Sequence, residues 1–367
     1  MATLGPNDLK QRAIPTYWDG AELTRLRLAD GMTYEQFITD VSVGLAAQNA
    51  ALLADPLLRS MISLTTEPAM EYGVGATTGF QLATEYGRAD AKRGATTGHM
   101  LAMDPYDREF GWTWMFLKDA RSVQLDNDIR MGMKDVRDIW KQTLLQRFFK
   151  STYTSVASGR SMPLADGGTA DSAYVPIQMP DRSAAFTSSH THLLRLDGIT
   201  QANLETAVKH LWEHGHNAPY ELLVAQADIG SWTNTTNVTG YVPAPDPLIR
   251  YGVQTDLANV SAETEGIVGA VETDYGACRL RMTARIPTAY WGVYKSYGAL
   301  DPRNPLVIRY NPMFGIGAVL LAGDHIRQFP LEQAVMWMEF GANIADRTNG
   351  VIVENDTSGN YATPTIS

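Results

Sequence analysis

The first clear period in the chain begins at residue 33. Thr33-Tyr34-Glu35-Gln36 reads as a capping box, in which the threonine and the glutamine three residues on satisfy each other's free backbone N–H groups. Phe37, Val41, Leu45 and Leu52 follow at helical spacing, and Asp55-Pro56 stops the pattern because proline cannot continue the hydrogen-bond ladder. One amphipathic helix is predicted. Over 63–111 the helical period disappears and Gly and Thr accumulate, including Gly75-Ala76-Thr77-Thr78-Gly79, repeated as Gly94-Ala95-Thr96-Thr97-Gly98. The two arms flank a charged, turn-prone middle, residues 85–93, so a long thin β-hairpin is predicted. It holds too few large apolar residues for a core of its own, and a lone hairpin is marginal in water. A supporting surface is required, and a neighbouring copy of the chain is the expected one.

From 119 to about 150, Leu125, Ile129, Met133, Val136, Trp140, Leu144 and Phe148 advance by three or four, with charged residues between them. This predicts the longest helix of the chain, about 45 Å for roughly 30 residues. Residues 151–189 read as loops with short strands, for instance 173–179. After a turn at Asp197-Gly198, Thr200 can cap a helix over 201–214 that ends at Gly215, and a buried strand is predicted over 220–225. Helix followed by strand opens an α/β lobe. Strand-like segments recur at 266–271, 278–286, 289–294, 306–310 and 315–321. A final helix is predicted over 331–343, then a two-residue hairpin turn at Asn349-Gly350 and a closing strand.

Length and composition narrow the function. The 367 residues allow two or three lobes, and 44% apolar with 19% charged residues describe a chain that folds. A net charge of −10 disfavours sequence-specific nucleic-acid binding, which normally shows as a basic face. The single cysteine, Cys278, excludes an intrachain disulfide and a multi-thiolate zinc site, and its alternation with Leu280, Met282, Ala284 and Ile286 marks a core thiol. No secretory signal is visible in residues 1–20. The longest strongly apolar stretch, 315–322, is far short of the roughly 20 residues a spanning helix needs, so no membrane span is expected.

The histidines are the main reason to consider chemistry. His190-Thr191-His192 could lie on a strand, and His210 and His214 stand one helical turn apart, with His216 beyond. His190, His192, His214 and His216 are the residues that could hold zinc. The zincin spacing is absent, however, and no carboxylate is placed by the pattern, so no metal, cofactor or catalytic residue is assigned. Asp126-Asn127-Asp128 diverges by about 200° between its carboxylates on a helix and suits solvent better than a shared ion. Gly73-Val74-Gly75 lacks the lysine and helix of a phosphate loop, and no Gly-x-Ser-x-Gly elbow occurs.

The order of elements resembles tailed-bacteriophage major capsid proteins with the Hong Kong 97 fold, across nearly the whole chain. Phe186 with His190-Thr191-His192, Glu213-His214-Gly215, residues 305–312 and residues 340–349 are similar to phage capsid sequence. The resemblance implies an α+β fold: an N-terminal arm with a helix (1–62), an extended loop (63–118), a peripheral domain with a spine helix (119–198), an axial domain (199–305) and a return to the peripheral domain with a C-terminal tail (306–367). It implies a non-enzymatic shell protein that assembles with itself as hexamers and pentamers around double-stranded DNA. Scaffolding, portal and decoration proteins are further candidate partners, and the expected location is the virion capsid, built in the host cytoplasm. On this reading Gly75, Thr78, Arg88, Asp90, Lys92, Arg93 and Thr97 are subunit-interface candidates. Some members crosslink a loop lysine to an asparagine; Lys92 is the only lysine near the hairpin tip, and none of Asn343, Asn349 and Asn355 lies in a partner motif, so non-covalent packing is expected. An encapsulin-like compartment and, in another class, a metal-dependent hydrolase are the alternatives.

Overall fold

The computed structural model describes residues 28–74, 95–243, 266–322, 331–357 and 359–366. Helices α1 (Tyr34–Ala54) and α2 (Pro56–Met61) lead into strand β1 (Ile62–Thr65) and an antiparallel ribbon of β2 (Ala69–Val74) with β3 (Ala95–Met100). Strand β4 (Asp104–Thr113), short helix α3 (Trp114–Asp119), the 27-residue helix α4 (Ser122–Phe148) and a small ribbon, β5 (Thr154–Val156) with β6 (Gly159–Ser161), follow. Next come β7 (Leu193–Arg195), α5 (Gln201–Glu213), β8 (Tyr220–Ala225), α6 (Ile229–Trp232) and β9 (Tyr241–Pro243). The last strands are β10 (Gly266–Thr273), β11 (Gly276–Thr283), β12 (Tyr290–Tyr294), β13 (Leu306–Tyr310), β14 (Ala318–Ala322), β15 (Leu331–Ile344) and β16 (Val351–Glu354).

The chain divides into two compact units, one from 1–49, 106–136 and 318–338, the other from 50–105, 137–317 and 339–367. In the first, the capping box forms as predicted: Gln36 N–H donates to Thr33 Oγ1 at 3.1 Å and Thr33 N–H to Gln36 Oε1 at 3.0 Å. Its core gathers on Trp112, whose ring lies edge-on to Tyr34 and Phe37 and stacked on Phe110, while its indole N–H donates to Asp128. Leu125 and Ile129 bury the facing stripe of α4. A side chain at Gly132 would collide with the Phe110 ring, so α4 and β4 can approach this closely only with glycine there. Length and composition alone would let α1 cross a membrane, which corrects the expectation that no segment could. Its buried stripe of Tyr34, Phe37, Val41, Leu45 and Leu52, opposite exposed Asp40 and Ser42, is the pattern of a helix packed on a protein core.

The second unit is built on a seven-stranded sheet in the order β7-β16-β12-β8-β11-β10-β9. Central β8 is buried at all six positions, as a strand covered on both faces must be. Thr200 caps α5 as predicted, and Leu204, Ala207, Val208 and Leu211 pack with Leu222, Val224, Leu280, Trp291 and Val353 of the sheet. Cys278 is fully buried, and burial pushes its thiol far up. Strands β7 and β16 join this sheet from outside the 199–305 span expected for one lobe.

Three sequence expectations are corrected. Residues 331–343 are not a helix but most of the 14-residue strand β15, where Ala334, Met336, Met338, Phe340, Ala342 and Ile344 are buried and Val335, Trp337 and Glu339 are partly exposed. That period of two serves β15 in pairing with β13, β14 and β4, and tertiary hydrogen bonding outweighs the helix preference of Glu, Gln, Ala and Met. Residues 173–179 carry no strand. Asn349-Gly350 makes no hairpin, because β15 and β16 belong to different sheets; buried Asn349 instead accepts from Lys295 N–H and donates to the Lys295 and Arg303 carbonyls. Within 63–118, strand β4 pairs with β15.

Candidate functional site

Two segments bring the histidines together. His214 closes α5, and Gly215 at φ +89° turns the chain back sharply, as a left-handed residue after a helix does. His190 and His192 precede β7, where His192 N–H donates to the Ala165 carbonyl and its own carbonyl accepts from Ile352 N–H. The Nε2 atoms of His190, His192 and His214 then converge: 3.1 Å between His190 and His214, 3.2 Å between His190 and His192, and 2.9 Å between His192 and His214. Phe186 covers the group, its ring centroid 4.0 Å from His190 and 4.8 Å from His214.

The opposite ring nitrogens fix the tautomers. His192 Nδ1 meets the Gly350 carbonyl at 2.6 Å and His214 Nδ1 meets the Ile177 carbonyl; a carbonyl can only accept, so both Nδ1 atoms carry the proton. In the neutral rings, both Nε2 atoms therefore point bare lone pairs at one another. Protonation does not relieve this easily. Burial, reinforced by His214, pushes His190 down to about 3, burial pushes His214 down to about 4, and fully buried His192 lies well below the ordinary value.

His216, the fourth histidine named from the sequence, is elsewhere: its Nδ1 contacts the Tyr297 hydroxyl at 2.9 Å and its Nε2 the Thr348 hydroxyl at 3.1 Å. His210 comes nearer, with ring centroids 5.3 Å from His190 and 5.7 Å from His192. Ile177 and Gly350 had no sequence signal, because they act through backbone carbonyls.

The base of the hairpin is seated on its own chain, correcting the expectation of support from a neighbour for this part. Tyr72 is buried, donates to the Ile344 carbonyl at 3.0 Å, stacks on His99 and meets Tyr174 edge-on. Ile177 fills the space beside Gly73. Thr97, named as an interface candidate, is half-buried with its hydroxyl 3.5 Å from Asp171. Gly75, Thr78, Arg88, Asp90, Lys92 and Arg93 lie outside the described residues. Beneath the seat, Arg347 is fully buried, paired with Asp166 at 3.2 Å and stacked 4.0 Å over Tyr174.

No protein-family model matches the chain, and no curated protein matches it. Among solved structures, one from Mycobacterium phage Patience is similar over 96% of this chain and 97% of its own, at 20% identity and a TM-score of 0.64. The mature capsid of bacteriophage PhiM1 covers 81% of this chain and 86% of its own (10% identity, TM-score 0.43), and an encapsulin complex from Synechococcus elongatus 84% and 89% (11%, 0.41). The likeness to the Mycobacterium phage Patience structure shows the fold. The chain is a mixed helix-and-sheet protein that shares the fold of that phage structure.

Proposed function

We propose that the chain is the major capsid protein of a tailed phage, forming the head shell by association with itself. The observation that carries this reading is likeness to a phage structure along nearly the whole of both chains, which leaves no large inserted domain to host a separate activity. The long helix, the hairpin and the α/β lobe would serve as spine, extended loop and axial lobe, with hexamers and pentamers as the assembly units. Many modest contacts, summed over a closed symmetric surface, make such a shell stable. An acidic subunit suits a wall that holds double-stranded DNA without binding it tightly. Scaffolding, portal and decoration proteins are proposed as further partners, and the role is non-enzymatic. Gly75, Thr78, Arg88, Asp90, Lys92, Arg93 and Thr97 are proposed as residues that meet a neighbouring subunit.

Electron microscopy of the purified full chain tests the proposal. Closed icosahedral or prolate particles with double-stranded DNA inside are expected from infected cells. Particles holding a cargo protein and no genome would mean a compartment instead, and a monomer at all concentrations would overturn both.

A further inference from the structure

We infer that His190, His192 and His214 form a binding site for one borderline divalent cation of the zinc class, with all three Nε2 atoms as ligands. The inference stands on geometry. With the three nitrogens 2.9 to 3.2 Å apart, the point equidistant from them lies about 1.8 Å from each, and an ion displaced about 1 Å from their plane reaches the zinc–imidazole length of about 2.0–2.1 Å. It stands also on proton positions. Two of the nitrogens carry no hydrogen because the Gly350 and Ile177 carbonyls hold the protons on the far side, which is how ligating histidines are usually oriented. Two buried lone pairs 2.9 Å apart repel unless something positive lies between them.

Imidazole ligands select zinc and its first-row neighbours over magnesium or calcium, which prefer oxygen. No carboxylate belongs to the group among the described residues. A fourth position is left for water.

The site would act as a staple. It links the segment before β7 to the end of α5, and the two Nδ1–H bonds extend the grip to Gly350 and to the loop carrying Ile177. That loop also holds Asp171 and Tyr174, the seat of the hairpin base. An ion here fixes the platform from which the hairpin starts. This inference does not depend on the capsid reading, since it concerns the folded chain alone.

The test is metal analysis of the purified full chain, loaded with zinc and dialysed against metal-free buffer, alongside titration with cobalt(II). One zinc per chain is expected, together with the visible absorption of cobalt in a low-coordinate nitrogen site. His190→Ala, at the more exposed ligand, should weaken zinc binding by at least roughly tenfold, the scale on which even outer-sphere partners act. His216→Ala should leave it unchanged. Removing zinc with a chelator should raise amide exchange in 172–179 and in the hairpin base. Wild-type protein that retains no stoichiometric zinc and shows no cobalt spectrum overturns the site outright, whatever the variants do. So does equal affinity in wild type and His190→Ala. Exchange unchanged on chelation overturns the stapling role.

Discussion

The Arg347 side chain is fully buried, yet it brings a guanidinium into the protein interior. Its Nη2 faces Asp166, its Nε donates to the Pro163 carbonyl at 3.0 Å, and its plane lies over Tyr174. Removing one member of a buried pair strands the other, typically at a cost of about 3–5 kcal/mol. Arg347→Met should therefore lower the unfolding free energy by about 3 kcal/mol in urea titration; a loss below about 1 kcal/mol would show that the pair is dispensable. His99 supplies a pH test at the same scale. Burial, assisted by the charge of Arg347, pushes its imidazole down to about 4. A histidine with a depressed folded-state value is neutral in both states above about pH 6.5; below that, the unfolded chain takes up the proton first. The His99 contribution is thus intact above about pH 6.5 and is lost as the pH falls toward 4. His99→Gln should flatten the acid limb of the stability profile in that window, and an unchanged limb would rule His99 out.

At the scale of elements, caps and close approaches set where helices begin and how strands fit. Thr200 Oγ1 accepts from Asn203 N–H at 3.2 Å, so Thr200→Ala should cost about 1 kcal/mol through the start of α5. In β15, a Cβ at Gly341 would overlap the Ala102 carbonyl, where Asn343 also binds that backbone in both directions. Gly341→Ala must push the chain apart and should cost about 1–3 kcal/mol, seen as a lowered urea midpoint. Near-neutral behaviour would show that the contact yields easily. Strand β15 also shows where element-level reading failed. Its composition favours helix, and only the partners on either side reveal that the same residues satisfy a period of two.

On the whole-molecule scale, the asparagines weighed and set aside as crosslinking partners are already engaged. Asn343 and Asn349 are fully buried and hydrogen-bonded within the chain, and Asn355 accepts from the Trp291 indole at 2.8 Å. Assembled particles should dissolve to single chains on denaturing gels, and a ladder of covalent oligomers would contradict this. The order of elements was legible because it depends on short-range signals: the capping box at Thr33, the Thr200 cap, Gly215 and the stripe of α4 all specify local backbone geometry over a few residues. The sequence by itself therefore determined the three long helices α1, α4 and α5, many of the strands and the mixed helix-and-sheet class. Tertiary structure decided the rest, because those outcomes depend on partners distant along the chain. It turned 331–343 into a strand, set Asn349 in the core instead of a hairpin turn, and seated Tyr72 on the chain's own body. It also chose His190, His192 and His214 over His216, a choice made by where two backbone carbonyls hold the imidazole protons.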